Sequence, residues 1–276
     1  MTIAYSILIL GVIGIVAAIL LYIAAKKFHV DENPKIAEVE ELLPGANCGG
    51  CGYSGCHAFA ATCAEATSME GLNCVSLNAE GMKKIADLLG FTATAAQRKV
   101  AVLKCNSTCE TRRAPNRYDG VSSCAIEASL YQGESECVYG CLGCGDCVTA
   151  CPFGAMSLDK EGAFPVTDWD KCVGCGKCAE ACPRGLIELA PLGEHPIVWV
   201  ACANRDKGPQ ALKACDVSCI GCGKCIKVCP EKAPSVTSFL AHIDYDKCTA
   251  CGACVEACPR KSITESATCS PGLHTL

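Results

Sequence analysis

Aromatic residues make up only 5% of this 276-residue chain. With so few large rings, an extensive hydrocarbon core is not to be expected. Histidine is scarce as well, at 5. No arrangement of residues reads as a nucleophile with its base, a metal-activated water or a phosphate-cradling loop. No G-x-G-x-x-G follows a strand, which leaves no visible site for a flavin, a nicotinamide or a substrate. There is no long basic run, and the formal net charge is −5, so nucleic-acid binding has no electrostatic footing. What the chain has in excess is cysteine, 28 residues in all.

The cysteines are ordered. Cys141, Cys144, Cys147 and Cys151 fall at C-x2-C-x2-C-x3-C-P, and Cys172, Cys175, Cys178 and Cys182 repeat the pattern. A [4Fe–4S] cubane needs thiolates at four corners. A short loop supplies three, and in two-cluster ferredoxins the fourth comes from the other half. The expected ligand sets are therefore Cys141, Cys144, Cys147 with Cys182, and Cys172, Cys175, Cys178 with Cys151. Glycines between the ligands let the backbone wrap closely and offer N–H groups to sulfur. Structural zinc more often uses paired C-x2-C knuckles. A secreted disulfide scaffold is argued against by the Cys-Pro repeats and by the lack of a cleavable signal peptide. The pattern returns at Cys219, Cys222, Cys225 and Cys229, 78 residues after the first loop, and at Cys248, Cys251, Cys254 and Cys258, 76 after the second. This is a duplicated module. Its expected sets are Cys219, Cys222, Cys225 with Cys258, and Cys248, Cys251, Cys254 with Cys229. The lead-ins VTDWDKC and IDYDKC echo one another.

Residues 1–25 carry no charge and end at Lys26-Lys27. At ~1.5 Å per residue such a run matches a ~30 Å hydrocarbon layer, and it lacks the basic n-region of a signal peptide. A single N-out transmembrane anchor is expected, with Tyr5 and Tyr22 at the interfaces, Gly14 and Ala18 as a small-xxx-small pair, and the rest on the cytoplasmic side. Asn33-Pro34 starts a helix that ends at Pro44-Gly45. Cys48, Cys51 and Cys56 then stand at C-x2-C-x4-C, a different cluster type. Cys74 is the preferred fourth ligand, and Cys63, two turns along the same helix from Cys56, competes for the role. His57 reads as an ordinary helix residue. Asn78–Gly90 is a capped amphipathic helix with Met82, Ile85 and Leu88-Leu89 inward.

A strand over Val100–Leu103 leads to Cys105, Cys109, Cys124 and Cys137, a looser foursome that by count suits zinc or a cluster; the surrounding clusters favour a further [4Fe–4S]. Arg112, Arg113 and Arg117 form the densest basic spot, read as a solvated loop in preference to a docking site. The segments after Leu158 and after Leu186 are short strands. The sum is about six clusters, with Cys63, Cys202, Cys215 and Cys269 unassigned. Cluster binding must then contribute much of the folding free energy.

CGGCGYSGC, CVYGCLGCGDCVTACPF and the tandem ferredoxin motifs together resemble the B subunit of the Rnf complexes, the ion-translocating ferredoxin:NAD oxidoreductases of bacterial cytoplasmic membranes. The likeness covers nearly the whole chain. It implies an electron-transfer subunit that accepts electrons from soluble reduced ferredoxin and relays them to partner subunits carrying the flavins, the NAD site and the ion path. It also assigns the N-terminal cluster to Cys48, Cys51, Cys56 and Cys74. In such relatives the position of Cys144 is often not cysteine. An electron arm of a hydrogenase or formate dehydrogenase, or a system reducing a redox-sensing regulator, are the competing classes. The expected fold class is α+β: a transmembrane helix (1–27), a small helical cluster domain (28–95), a connecting segment (96–138), two two-cluster ferredoxin modules (139–200 and 201–265) and a tail (266–276).

Overall fold

The computed structural model describes residues 2–27, 33–91, 97–159, 164–193 and 195–266. Cys269 lies outside the described residues. The chain opens on a helix, α1 (Thr2–Lys27), whose described side chains are exposed, Val12, Ile15, Leu20 and Leu21 among them. Yet among the described residues no helix is long and apolar enough to cross a membrane. This overturns the expected transmembrane helix over residues 1–27. The fold is mixed helix and strand with ferredoxin domains, without a shown span.

Three helices follow: α2 (Pro34–Leu42), α3 (Cys56–Glu65) and α4 (Ala79–Leu89). Asn33 caps α2 by accepting from the Lys35 N–H at 3.1 Å, and Pro34 takes the first helical position. Asn78 caps α4 through the Gly81 N–H at 2.8 Å, and Gly90 ends it with φ +80°. The inward face of α4 is Met82, Ile85 and Ala86, while Leu88 is exposed. The expectation of an inward face holds at Met82 and Ile85 and fails at Leu88, which stands at the edge of that face near the helix end. These helices close over Val39, Phe59, Ala60, Cys63 and Ile85, all essentially inaccessible.

The rest is two copies of one plan. In the first, β1 (Lys99–Leu103) pairs antiparallel with β4 (Ile187–Pro191), and β2 (Met156–Leu158) pairs with β3 (Pro165–Thr167). In the second, β5 (Val198–Val200) pairs with β8 (Ile263–Glu265), and β6 (Pro234–Thr237) with β7 (Leu240–Ile243). Each inner hairpin is thus framed by an outer pair that brings the ends of the module together. Short helices lie between: α5 (Cys124–Leu130), α6 (Asp146–Thr149), α7 (Lys177–Ala181), α8 (Gly208–Ala214), α9 (Lys224–Val228) and α10 (Ala253–Ala257). The two modules are stitched by their tryptophans. Trp169 donates to the Ala101 carbonyl at 3.1 Å and Trp199 to the Leu103 carbonyl at 3.0 Å. Their rings meet edge to face at 5.8 Å, so both tryptophans of the chain are spent at this seam.

Candidate cluster-binding sites

Each ferredoxin loop turns on the same local device. Gly145, Gly176, Gly223 and Gly252, with φ between +68° and +84°, reverse the chain just before a short helix starts. That left-handed turn is cheap only for glycine. It aims the third cysteine of each loop, Cys147, Cys178, Cys225 and Cys254, inward, and all four are buried. The helices end within about a turn at the x3-cysteine. The residue four positions beyond then donates its N–H back to sulfur: Ala155 to Cys151 at 3.3 Å, Leu186 to Cys182 at 3.4 Å and Ser262 to Cys258 at 3.3 Å. Such donors suit a charged thiolate or cluster sulfur.

The thiols gather in cages. Cys219, Cys222, Cys225 and Cys258 line one cavity with Ile220, Gly221 and Pro259. Cys248, Cys251, Cys254 and Cys229 line another. In both, the x3-cysteine comes from the opposite loop. Cys151 faces the Cys172 loop in the same way. Burial, and then Cys172, Cys175 and Cys151, push the Cys178 thiol up to about 12. In the N-terminal domain a cavity is lined by Cys48, Cys51, Cys56 and Cys74. Cys63 is fully buried in the neighbouring helix core, and that burial, then Cys51 and Cys74, raise its thiol to about 11. His57 does not turn to this cage: its Nδ1 meets Glu40 at 2.8 Å.

The first loop differs from the others in which cysteines line its cavity. Its cavity is lined by Cys124, Cys141, Cys147 and Cys182, and Cys144 is not in the wall. The Cys144 Sγ instead donates to Glu127 at 3.1 Å, a carboxylate only 2% exposed. Asp146 fixes the start of α5, accepting from the Ser123 hydroxyl at 3.0 Å and the Ala125 N–H at 3.1 Å. The foursome Cys105, Cys109, Cys124 and Cys137 is divided. Cys124 stands at the first loop, Cys109 is exposed, and Cys105 and Cys137 line a separate cavity with Cys141, Cys202 and Cys215. Cys202 and Cys215 carry no spacing that marks them as ligands, and only the fold brings them there. Arg112 is not a solvated loop residue: its guanidinium lies 5.0 Å from the Phe164 ring centre and donates to the Cys141 carbonyl at 3.4 Å.

A zinc ion needs its thiolates within ~2.3 Å of one point. Among the described residues no group of three or more His, Cys, Asp or Glu is gathered for a single metal ion. A cubane presents a separate iron to each thiolate, and these wider thiol cages with N–H donors to sulfur fit it.

Family models described as 4Fe-4S dicluster domain match residues 140–187, 171–233 and 212–259, and an Fe-S cluster model matches 43–67. The B subunit of an ion-translocating oxidoreductase complex from Methanosarcina acetivorans is 44% identical over 88% of this chain and 90% of its own length. The chain belongs to the Rnf B-subunit family. The corresponding subunit of the Na+-translocating ferredoxin:NAD+ oxidoreductase of Acetobacterium woodii is 43% identical over 87% of this chain and 71% of its own. The proton-translocating counterpart of Clostridium ljungdahlii is 39% identical over 88% and 84%. As an Rnf B subunit with dicluster domains, the chain is an iron–sulfur electron-transfer subunit holding several [4Fe–4S] clusters. Translocating complexes of this kind work at a membrane, since ion transport needs two compartments.

Proposed function

We propose that this subunit takes electrons from reduced ferredoxin and passes them, through cubanes held in its thiol cages, to the other subunits of an ion-translocating ferredoxin:NAD oxidoreductase. The clusters supply reversible one-electron storage; everything else is done by the chain. Its ligands are Cys48, Cys51, Cys56 and Cys74 in the N-terminal domain, and Cys172, Cys175, Cys178 and Cys151 in the first module. The first loop uses Cys141, Cys147 and Cys182 with Cys124. The second module uses Cys219, Cys222, Cys225 with Cys258, and Cys248, Cys251, Cys254 with Cys229.

The observation that carries this reading is the contact between neighbouring cages. Gly50, between Cys48 and Cys51, approaches the second loop so closely that a Cβ would come to 2.8 Å from the Cys175 Cα. Cys141 faces two cavities at once. The cages therefore form a row from the second module to the N-terminal domain. At the far end Cys222 and Cys251 are exposed, and so are Lys224 and Lys227 on α9, which follows Cys222 in the chain. An acidic carrier such as ferredoxin is drawn to a positive end of this kind. The N-terminal end then faces partner subunits, with the clusters on the cytoplasmic side where reduced ferredoxin is found.

The test is stopped-flow reduction of the anaerobic full chain by reduced ferredoxin, followed by EPR. Cluster bleaching with one-electron signals is expected, and Cys182→Ser removes the first-loop signal while leaving that of the Cys172 loop. No reduction by ferredoxin, or loss of the Cys172-loop signal instead, contradicts the reading.

A further inference from the structure

We propose that Cys105, Cys137, Cys202 and Cys215 hold a [4Fe–4S] cluster at the junction of the two ferredoxin modules, where it relays electrons between them. The inference rests on the preceding reading that the other cages carry cubanes.

Four separate elements deliver these thiols to one cavity. Cys105 leaves the end of β1, and the next residue, Asn106, donates its N–H to the Ala201 carbonyl at 2.9 Å, tying it to the chain ahead of Cys202. Cys202 follows β5. Cys215 caps α8 and bridges to Arg112, and the Asp216 N–H donates to the Thr111 carbonyl at 3.0 Å. Cys137 enters from the segment before the first loop. Cys137, Cys202 and Cys215 are buried.

The cavity is also furnished for sulfur. Asn204, 1% exposed, points its Nδ2 at the Cys137 Sγ at 3.5 Å and its backbone N–H at the Cys202 Sγ at 3.4 Å. The Cys219 N–H reaches the same Cys202 Sγ at 3.3 Å. A buried residue that spends its side-chain amide on one thiol and its backbone N–H on another is the donor arrangement that stabilises cluster ligands and tunes their potential.

Position gives the site its role. Cys141, a ligand of the first-loop cluster, lines this same cavity. Cys219, a ligand in the second module, touches Cys202 through its N–H. One electron leaves a reduced neighbour as it arrives here, and leaves again to the oxidised neighbour on the other side; no bond is made or broken and no outside oxidant is needed.

The test compares the full chain, purified anaerobically, with Cys202→Ser, Cys215→Ser and Cys109→Ser. Each of the first two loses about four iron and four sulfide and one EPR signal, and Cys109→Ser loses none. Full iron retained in Cys202→Ser and Cys215→Ser overturns the proposal, as does loss of a zinc ion in their place. Should both variants fail to fold, native mass spectrometry of the unsubstituted chain decides. A mass holding the junction cluster besides the other five supports the site, and a mass holding those five alone overturns it. An unsubstituted chain with no clusters sinks the wider functional reading instead.

Discussion

Ala250 occupies the loop position that glycine holds in the other three motifs, Gly143, Gly174 and Gly221, and it keeps their left-handed backbone with φ +54°. A side chain in that region costs about 1 kcal/mol. Ala250→Gly is therefore expected to raise the stability of the cluster-loaded chain by roughly that amount, read as a higher Tm in anaerobic calorimetry. Gly221→Ala does the opposite, because its Cβ would also come to 2.8 Å from the Phe239 Cα. The same scale decides the first-loop ligand. Cys124→Ser is expected to remove about four iron per chain, whereas Cys144→Ser, which loses a thiol held by Glu127 and Cys124 outside the cavity wall, leaves the iron content intact. The reverse pattern in iron analysis would return Cys144 to the ligand set. Spacing alone favours Cys144, which completes the C-x2-C-x2-C-x3-C pattern, over Cys124, which lies outside it.

Among the elements, the short strands over 187–191 and 198–200 were legible in their β-branched, apolar sequence, but their partners were not. They follow one another in the chain and yet pair away from each other, with β1 and β8. Such outer pairings close loops of most of a module's length, and nothing in a local pattern of alternation encodes them. The contact of the N-terminal cage with the second loop is likewise an element-scale fact. Gly50→Val drives a side chain into Cys175 backbone and side-chain atoms and into the Val75 side chain. It is expected to slow electron passage between the two domains, seen by rapid-freeze EPR, with the iron content unchanged. At the other end, Lys224→Glu with Lys227→Glu reverses the charge on exposed positions of α9. The rate of reduction by ferredoxin should fall, and its dependence on ionic strength should weaken. An unchanged rate would place the docking surface elsewhere.

Over the whole molecule, the repeated cysteine spacing made the duplicated ferredoxin plan readable from the chain, because three ligands of each cluster must come from one short loop. The junction was unreadable because its thiols come from four distant segments and share no spacing. The expected transmembrane anchor rests on an uncharged run, but among the described residues no helix is long and apolar enough to cross a membrane. Cores this small, three clusters of buried side chains built largely from Ala, Val, Ile and Cys, leave stability to the metal. Removal of iron by chelation under reducing conditions is expected to abolish cooperative unfolding by circular dichroism.

Iron and acid-labile sulfide measured together on anaerobically purified chain probe the cages most directly. About 24 of each per chain is the expected result, four for every cage. Zinc in place of iron, or cysteines without inorganic sulfide, would contradict the assignment of these cages to electron-carrying cubanes.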